Sequence, residues 1–322
     1  MTIHSIPDEQ LKRAVSTLRA GELLALPTET VYGLGADASN PEAVKKIFAL
    51  KGRPSSHPVI VHISDVAELP KWAREVSPTA MKLATAFWPG PFTLVLKRAA
   101  SVSDVITGGQ DTVAVRVPRH AIAQQLLRAF GGGIAAPSAN RFGHVSPTLA
   151  EHVREEFGNQ LLILDGHDCE IGLESTIVSC VDDIPRLLRP GGISLSQLRA
   201  VVPEVTDVVN SDAPRAPGML EKHYSPRTPI QITSGAGLEK SVAEYVQCGE
   251  TVAVLAMHAA PQQRELVRWV NASSDAIAYG HALYANLRML DKAGATCMLI
   301  ESVPVEEHWQ AVRDRLQRAA AT

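Results

Sequence analysis

Ile134-Ala-Ala-Pro-Ser-Ala-Asn140, continued by Arg141-Phe-Gly-His-Val-Ser-Pro-Thr148, is the stretch from which the fold is best read. A short apolar run rises out of Gly131-Gly-Gly133 and ends in Pro137, Ser138 and Asn140. A buried strand is therefore expected to empty into a turn of small polar residues. At a strand's carboxyl end such residues let a ligand approach the backbone, and Ser and Asn supply donors and acceptors. Taken alone, the pattern reads first as a strand with a solvated turn. The segments on either side decide whether other groups converge on it.

Immediately before it, Asp111-Thr-Val-Ala-Val-Arg-Val-Pro118 alternates, putting Thr112, Ala114 and Arg116 on one face and Val113, Val115 and Val117 on the other. An arginine between strand valines either snorkels at an edge or faces a ligand. A helix is expected near 119–130. Further back, Leu11, Ala14, Val15 and Leu18 recur at helical spacing and Gly21 ends that helix. Leu23-Leu-Ala-Leu26 reads as a buried strand, and Pro27-Thr-Glu-Thr-Val-Tyr-Gly-Leu-Gly35 as a loop carrying two hydroxyls, a carboxylate and a phenol. Asn40-Pro-Glu opens a capped helix that runs to Lys51-Gly-Arg-Pro54. Pro58-Val-Ile-Val-His-Ile63 is a strand, with Val59, Val61 and Ile63 on one face and Ile60 and His62 on the other. Helical patterns follow at 64–75 and 77–87. Trp88-Pro-Gly-Pro91 then breaks the chain before the strand Phe92-Thr-Leu-Val-Leu96.

Beyond the opening stretch the pattern predicts a helix over 148–157, strands near 161–164, 174–180 and 186–189, and a short helix after Gly191-Gly-Ile-Ser. Strands interspersed with helices define an α/β domain with a twisted mixed sheet, spanning 1–204. Residues 205–229 are proline-rich and weakly periodic, as a semi-rigid linker or lid would be, although His223 and Tyr224 are unusual in a spacer. From 230 to 322, Ile230-Gln-Ile, Thr251-Val-Ala-Val-Leu-Ala256 and Cys297-Met-Leu-Ile300 alternate with helical stretches near 237–247, 279–293 and 305–319. This is a smaller Rossmann-like α/β domain without a G-x-G-x-x-G or an obvious catalytic cluster.

Composition bounds the function. With 322 residues the chain is long enough for two cores, and 45% hydrophobic with 20% charged residues is ordinary for a globular protein. A net charge of −3 gives no global basic field for nucleic acid. Cys169, Cys180, Cys248 and Cys297 stand far apart with no C-x-x-C, which disfavours a zinc knuckle or a disulfide framework. The start, Met1-Thr-Ile-His-Ser-Ile, has neither a basic nor an apolar signal region, so a cytoplasmic protein with no membrane contact is expected.

Four cations are candidates for anionic ligands. Lys51 and Arg53 flank a glycine past a helix, where the ammonium would act as a point charge and the guanidinium as a bidentate fork. Alone, such a pair reads more simply as a solvated helix end. Arg116 could hold a carboxylate, and Arg189 before Pro-Gly-Gly another anion. No P-loop and no Ser-His-Asp arrangement is present. The residues thus point to a cationic site for a phosphorylated or carboxylated small molecule.

Pro27-Thr-Glu-Thr-Val-Tyr-Gly-Leu-Gly, Lys51-Gly-Arg-Pro, Trp88-Pro-Gly-Pro, Asp111-Thr-Val-Ala-Val-Arg, Ala136-Pro-Ser-Ala-Asn, Glu174-Ser-Thr-Ile and Leu188-Arg-Pro-Gly together resemble the YrdC family, in order and over most of residues 1–200. Ala216-Pro-Gly-Met and His223-Tyr-Ser-Pro resemble the linker of that family's longer, two-domain form.

The resemblance implies an ATP-dependent nucleotidyltransferase. It would join L-threonine and bicarbonate or CO2 to AMP, release pyrophosphate, and so supply L-threonylcarbamoyl-AMP to transferase proteins that modify tRNA beside the anticodon. Carried over by motif, Thr28, His62, Arg116, Ala136 and Ser175 would surround L-threonine. Lys51, Ser55, Thr112, Ser138, Asn140, Ser146, Arg189 and Tyr224 would contact ATP, with Lys51 and Arg53 in the catalytic role. Mg2+ would arrive with the triphosphate, without an identifiable protein ligand. The alternatives are an RNA-binding module without activity, for tRNA or double-stranded RNA, and a carbamoyl-transfer enzyme of the hydrogenase-maturation type.

Overall fold

The computed structural model describes residues 6–208, 213–262 and 264–321. Part of the start of the chain (1–5) and part of the proline-rich segment (209–212) lie outside the described residues. The chain divides into two compact units, Met1–Phe142 with Pro147–Met219, and Gly143–Ser146 with Leu220–Thr322.

The first unit opens with α1 (Asp8–Arg19), β1 (Leu24–Leu26), β2 (Gly33–Asp37) and α2 (Pro41–Lys51). In α1, Ala14, Val15 and Leu18 form the buried stripe, Asp8 and Glu9 sit at the positive end, and Arg19 at the negative end. Asn40 caps α2 by accepting from the backbone of Glu42 and Ala43, Pro41 follows, and Gly52 ends the helix in a left-handed conformation. Contrary to the loop expected over 27–35, β2 begins at Gly33. A Cβ on Gly35 would lie 2.9 Å from Leu26 and 3.1 Å from Ile134, so glycine is what lets the neighbouring strands close on it.

Next come β3 (Ile60–His62), a 3-10 turn (Val66–Lys71), α3 (Pro78–Phe87), β4 (Phe92–Lys97), α4 (Asp104–Thr107) and β5 (Thr112–Arg116). Where a helix was expected over 64–75, only Val66–Lys71 is helical, and it is a 3-10 turn with Pro70, which lacks a backbone donor, inside it. The unit continues with α5 (Ala121–Phe130), β6 (Ile134–Ala135), α6 (Ala150–Phe157), β7 (Leu162–Ile163), β8 (Thr176–Ser179), β9 (Arg186–Arg189) and α7 (Leu195–Val201).

The strands form one mixed sheet in the order β7-β1-β2-β6-β3-β5-β4-β8-β9. Alternation along β3 and β5 sorts side chains as the sequence predicts. Val59, Val61, Ile63, Val113, Val115 and Val117 enter the main core, with Ile47 and Phe48 of α2 and Leu83 of α3. The opposite face has two covers. Near β1 and β6, Leu24, Leu26 and Ile134 pack with Leu18 of α1 and Leu126 of α5. Over the middle, Ile60, Val95, Ala114, Ile177 and Leu188 pack with Ala213, Ala216 and Met219. That part of the proline-rich segment is bound to its unit, since Arg215 N donates to Gln110 Oε1 at 2.7 Å and Pro217 O accepts from Arg189 Nη1 at 2.8 Å.

In the second unit β10 (Ile230–Thr233), α8 (Gly235–Gln247), β11 (Val252–Ala256), β12 (Val267–Asn271), α9 (Ala276–Asp291), β13 (Cys297–Glu301) and α10 (Gln310–Ala320) form a parallel sheet in the order β10-β13-β11-β12, flanked by helices. The edge strand β12 was not expected from the sequence. Its Arg268 and Asn271 are exposed, and its apolar residues are only half-buried. Among the described residues no helix is long and apolar enough to cross a membrane.

Candidate active site

Arg116 closes β5 between β3 and β4, so neither an edge nor a solvated end is open to it, and it is 3% exposed. Three groups fix its guanidinium. Nε donates to the carbonyl of Gly90 at 3.2 Å, Nη1 donates to Thr30 Oγ1 at 2.8 Å, and Nη2 lies 2.7 Å from Glu29 Oε1. Thr30 Oγ1 is 2.8 Å from Thr28 Oγ1, which in turn donates to the carbonyl of Val31 at 2.6 Å and accepts from its amide at 3.2 Å. The polar run after Pro27 is therefore a buried collar around an arginine.

His62 pairs with Arg116 across the β3–β5 register. Burial, and then the Arg116 charge, push its imidazole down to about 3, so it is neutral near pH 7. Ala136 is buried beside this group, its amide donating to the carbonyl of Ile60 at 3.0 Å. On the neighbouring strands Thr93 and Ser175 share a hydroxyl hydrogen bond of 2.7 Å. Arg189 donates through Nη2 and Nε to the Ser175 carbonyl at 2.9 and 3.1 Å, and through Nη2 to Ser175 Oγ at 3.2 Å. Arg189 is thus buried and orients Ser175 as well as holding Pro217.

Lys51 departs from the solvated helix end that its sequence context suggests. It is buried at the last position of α2, and its ammonium donates to the carbonyl of Ser138 at 2.6 Å and to that of Asn140. Desolvation, and then Arg53, lower its pKa well below the ordinary lysine value. Arg53 is buried as well and donates through Nη2 to the Pro58 carbonyl at 2.8 Å. The two charges meet there because Gly52, at φ 64, turns the chain back beneath the 138–140 turn, where Gly33 bridges Ser138. Asn140 Nδ2 donates to the carbonyl of Arg141 at 2.7 Å.

The structure therefore brings together Thr28, His62, Arg116, Ala136 and Ser175 within the central strands and their carboxyl-end turns, and Lys51, Arg53, Ser138 and Asn140 at the end of α2. Thr112 starts β5, on the Arg116 face but about 13 Å away at roughly 3.3 Å per residue. Ser55 is exposed. Ser146 and Tyr224 belong to the second unit. Tyr224 sits there at φ 62, stacked on Tyr284 at 5.7 Å between centroids and with the Arg315 guanidinium 5.3 Å from its ring. Glu29, Thr30 and Thr93 were not assigned from sequence. Their only signal was polar character inside apolar surroundings.

Two buried cationic groups, one beside hydroxyls and a carboxylate, the other beside a strand-to-turn backbone, mark this α/β protein as one of a class suited to small anionic substrates. Residues 16–191 match the family described as Telomere recombination, and residues 193–321 match the domain described as Threonylcarbamoyl-AMP synthase, C-terminal domain. The chain belongs to the threonylcarbamoyl-AMP synthases, in their two-domain form. It is 41% identical to the Threonylcarbamoyl-AMP synthase of Bacillus subtilis, over 98% of this chain and 94% of that one. With the Pyrococcus abyssi protein of the same name it shares 38% identity, over 98% and 95%. The crystal structure of P. abyssi Sua5 complexed with L-threonine superposes with a TM-score of 0.91 at 37% identity, covering 98% of this chain and 96% of that one.

Proposed function

We propose that this enzyme makes L-threonylcarbamoyl-AMP from L-threonine, bicarbonate or CO2, and ATP, releasing pyrophosphate. Its product would feed transferase proteins that place threonylcarbamoyladenosine beside the anticodon of tRNA. The observation that carries this reading is the pair of separate buried cationic groups. Arg116, ringed by Thr28, Thr30 and the His62 imidazole, suits an amino acid carboxylate. Lys51, set at the 138–140 turn, suits phosphate oxygens.

The chemistry asks for little more than holding and charge neutralisation. The threonine amine becomes a carbamate, whose oxygen attacks the α-phosphorus while pyrophosphate leaves. No covalent bond to the protein is needed. Fixing the reactants can supply about 7–11 kcal/mol of the barrier, and cations aimed at the phosphates add electrostatic stabilisation. Thr28, His62, Arg116, Ala136 and Ser175 are assigned to threonine. Lys51, Ser55, Thr112, Ser138, Asn140, Ser146, Arg189 and Tyr224 are assigned to ATP, with Lys51 and Arg53 as the catalytic cations. Mg2+ would enter bound to the triphosphate. Among the described residues no group of three His, Cys, Asp or Glu side chains is placed to hold a metal.

The domain reading pairs a catalytic unit over 1–204 with a proline-rich linker or lid over 205–229 and a small Rossmann-like domain over 230–322. Pyrophosphate release with threonine, bicarbonate or ATP omitted in turn tests the proposal. Release is expected only when all three are present, and release without threonine would overturn it.

A further inference from the structure

Glu29 has no place in the threonine set above, yet it is 1% exposed and lies against the Arg116 guanidinium. Among the described residues, neither of its carboxylate oxygens has a hydrogen-bond partner. The ion pair at 2.7 Å is a charge contact without hydrogen-bond alignment. A buried carboxylate in this state bears most of its desolvation cost, because charge pairing compensates only when the remaining lone pairs are also satisfied. The neighbouring hydroxyls are engaged elsewhere. Thr30 Oγ1 faces Arg116 and Thr28, while Thr28 Oγ1 is engaged with Val31. The Ile171 amide reaches only the backbone carbonyl of Glu29, at 2.8 Å.

What completes such a carboxylate is a group that only donates and that sits beside an anion bound by Arg116. An α-amino acid has that form. Its ammonium carries three donors and no acceptor, and it is one carbon away from its carboxylate. Glu29 and Arg116, side by side, present the complementary charges. We propose that Glu29 is the ammonium-binding residue of the threonine seat, pairing with the substrate nitrogen as Arg116 pairs with the carboxylate. This rests on the assignment of Arg116 to threonine. Glu29 would thereby restrict the site to amino acids with a free amine and reject the corresponding hydroxy acids. The neutral His62 ring offers at most one acceptor nitrogen, whereas Glu29 offers two oxygens and the opposing charge.

The test compares L-threonine with 2,3-dihydroxybutanoate, in which a hydroxyl replaces the amine. Affinities are measured as inhibition or direct binding for wild type, Glu29→Gln and Arg116→Met, after thermal melts identify the folded variants. In Glu29→Gln the preference for threonine over the hydroxy acid is expected to fall at least tenfold. An unchanged preference would overturn the proposal, whether both ligands weaken together, as they would if Glu29 only steadied Arg116, or neither weakens. Unaltered threonine affinity in Arg116→Met would instead overturn the seat itself. Should Glu29→Gln fail to fold, Glu29→Asp decides by the same ratio, because the shorter arm withdraws the oxygens while keeping the charge beside Arg116.

Discussion

The Lys51 ammonium donates to the Ser138 carbonyl at 2.6 Å, tying the end of α2 to a turn that lies 87 residues further along the chain. The side chain proposed to meet the phosphates thereby also braces the scaffold. Lys51→Ala would be harmless to the fold if the lysine were a solvated helix end, but the buried contacts predict otherwise. Lys51→Met should lower turnover at least ~100-fold, as expected when an electrostatic contact to a reacting group is lost. It should also destabilise by about 1–3 kcal/mol, because two buried carbonyls lose their donor. Steady-state pyrophosphate release and urea melts of the same preparation check both.

Arg116 and Glu29 should behave as a coupled pair. Arg116→Met leaves a buried carboxylate without its countercharge, a loss of about 3–5 kcal/mol where one partner of a buried pair is removed. Adding Glu29→Gln removes that charge, so the double variant should be more stable than Arg116→Met alone. Additive losses across the double-mutant cycle, read from denaturant midpoints, would contradict the coupling.

The buried His62 ring should make the protein sensitive to acid. Its pKa is about 3 in the folded chain and near 6.5 when unfolded, so between these values the unfolded state binds the extra proton. Stability from this residue is complete above pH 6.5 and falls with acidification, at about 1.4 kcal/mol per pH unit. From pH 7 to pH 4.5, wild type should therefore lose about 2–3 kcal/mol more than His62→Gln. Equal losses in paired urea titrations would count against a neutral buried imidazole.

Gly191 backs directly onto the Ser175 peptide. A Cβ there would stand 2.4 Å from the Thr176 amide and 2.6 Å from the Glu174 carbonyl, neither of which can swing away as a side-chain tip could. Gly191→Ala should cost about 1–3 kcal/mol from overpacking. It should also raise KM for threonine more than KM for ATP, because Ser175 is displaced. Kinetics with each substrate varied separately distinguish this from a general loss of fold.

Local periodicity makes part of the molecule legible from its residues alone. Valine alternation puts Arg116 on the face opposite the core, and Asn40-Pro41 with Gly52 marks both ends of α2. Relations between distant segments carry no such mark. Lys51 reads as solvated because the carbonyls that bury it come from 138 and 140, and Glu29 reads as a loop carboxylate because Arg116 stands on another strand. Short elements with mixed signals are also hidden, such as Gly33–Asp37, whose glycines usually mark turns, and Val267–Asn271, an edge strand that sets exposed Arg268 and Asn271 among half-buried apolar residues. Nothing local announces the left-handed backbone of Tyr224.

The placement of Thr112 and Arg116 at opposite ends of β5 has a metric consequence. A pleated strand is nearly inextensible, so it acts as a caliper between the two proposed substrate seats. Deleting a single residue within it would turn one jaw to the far side of the sheet. Deleting two would keep both jaws on the same side but close the gap by about 7 Å. Any adjustment of the distance between the proposed seats would therefore fall to the turns around β5.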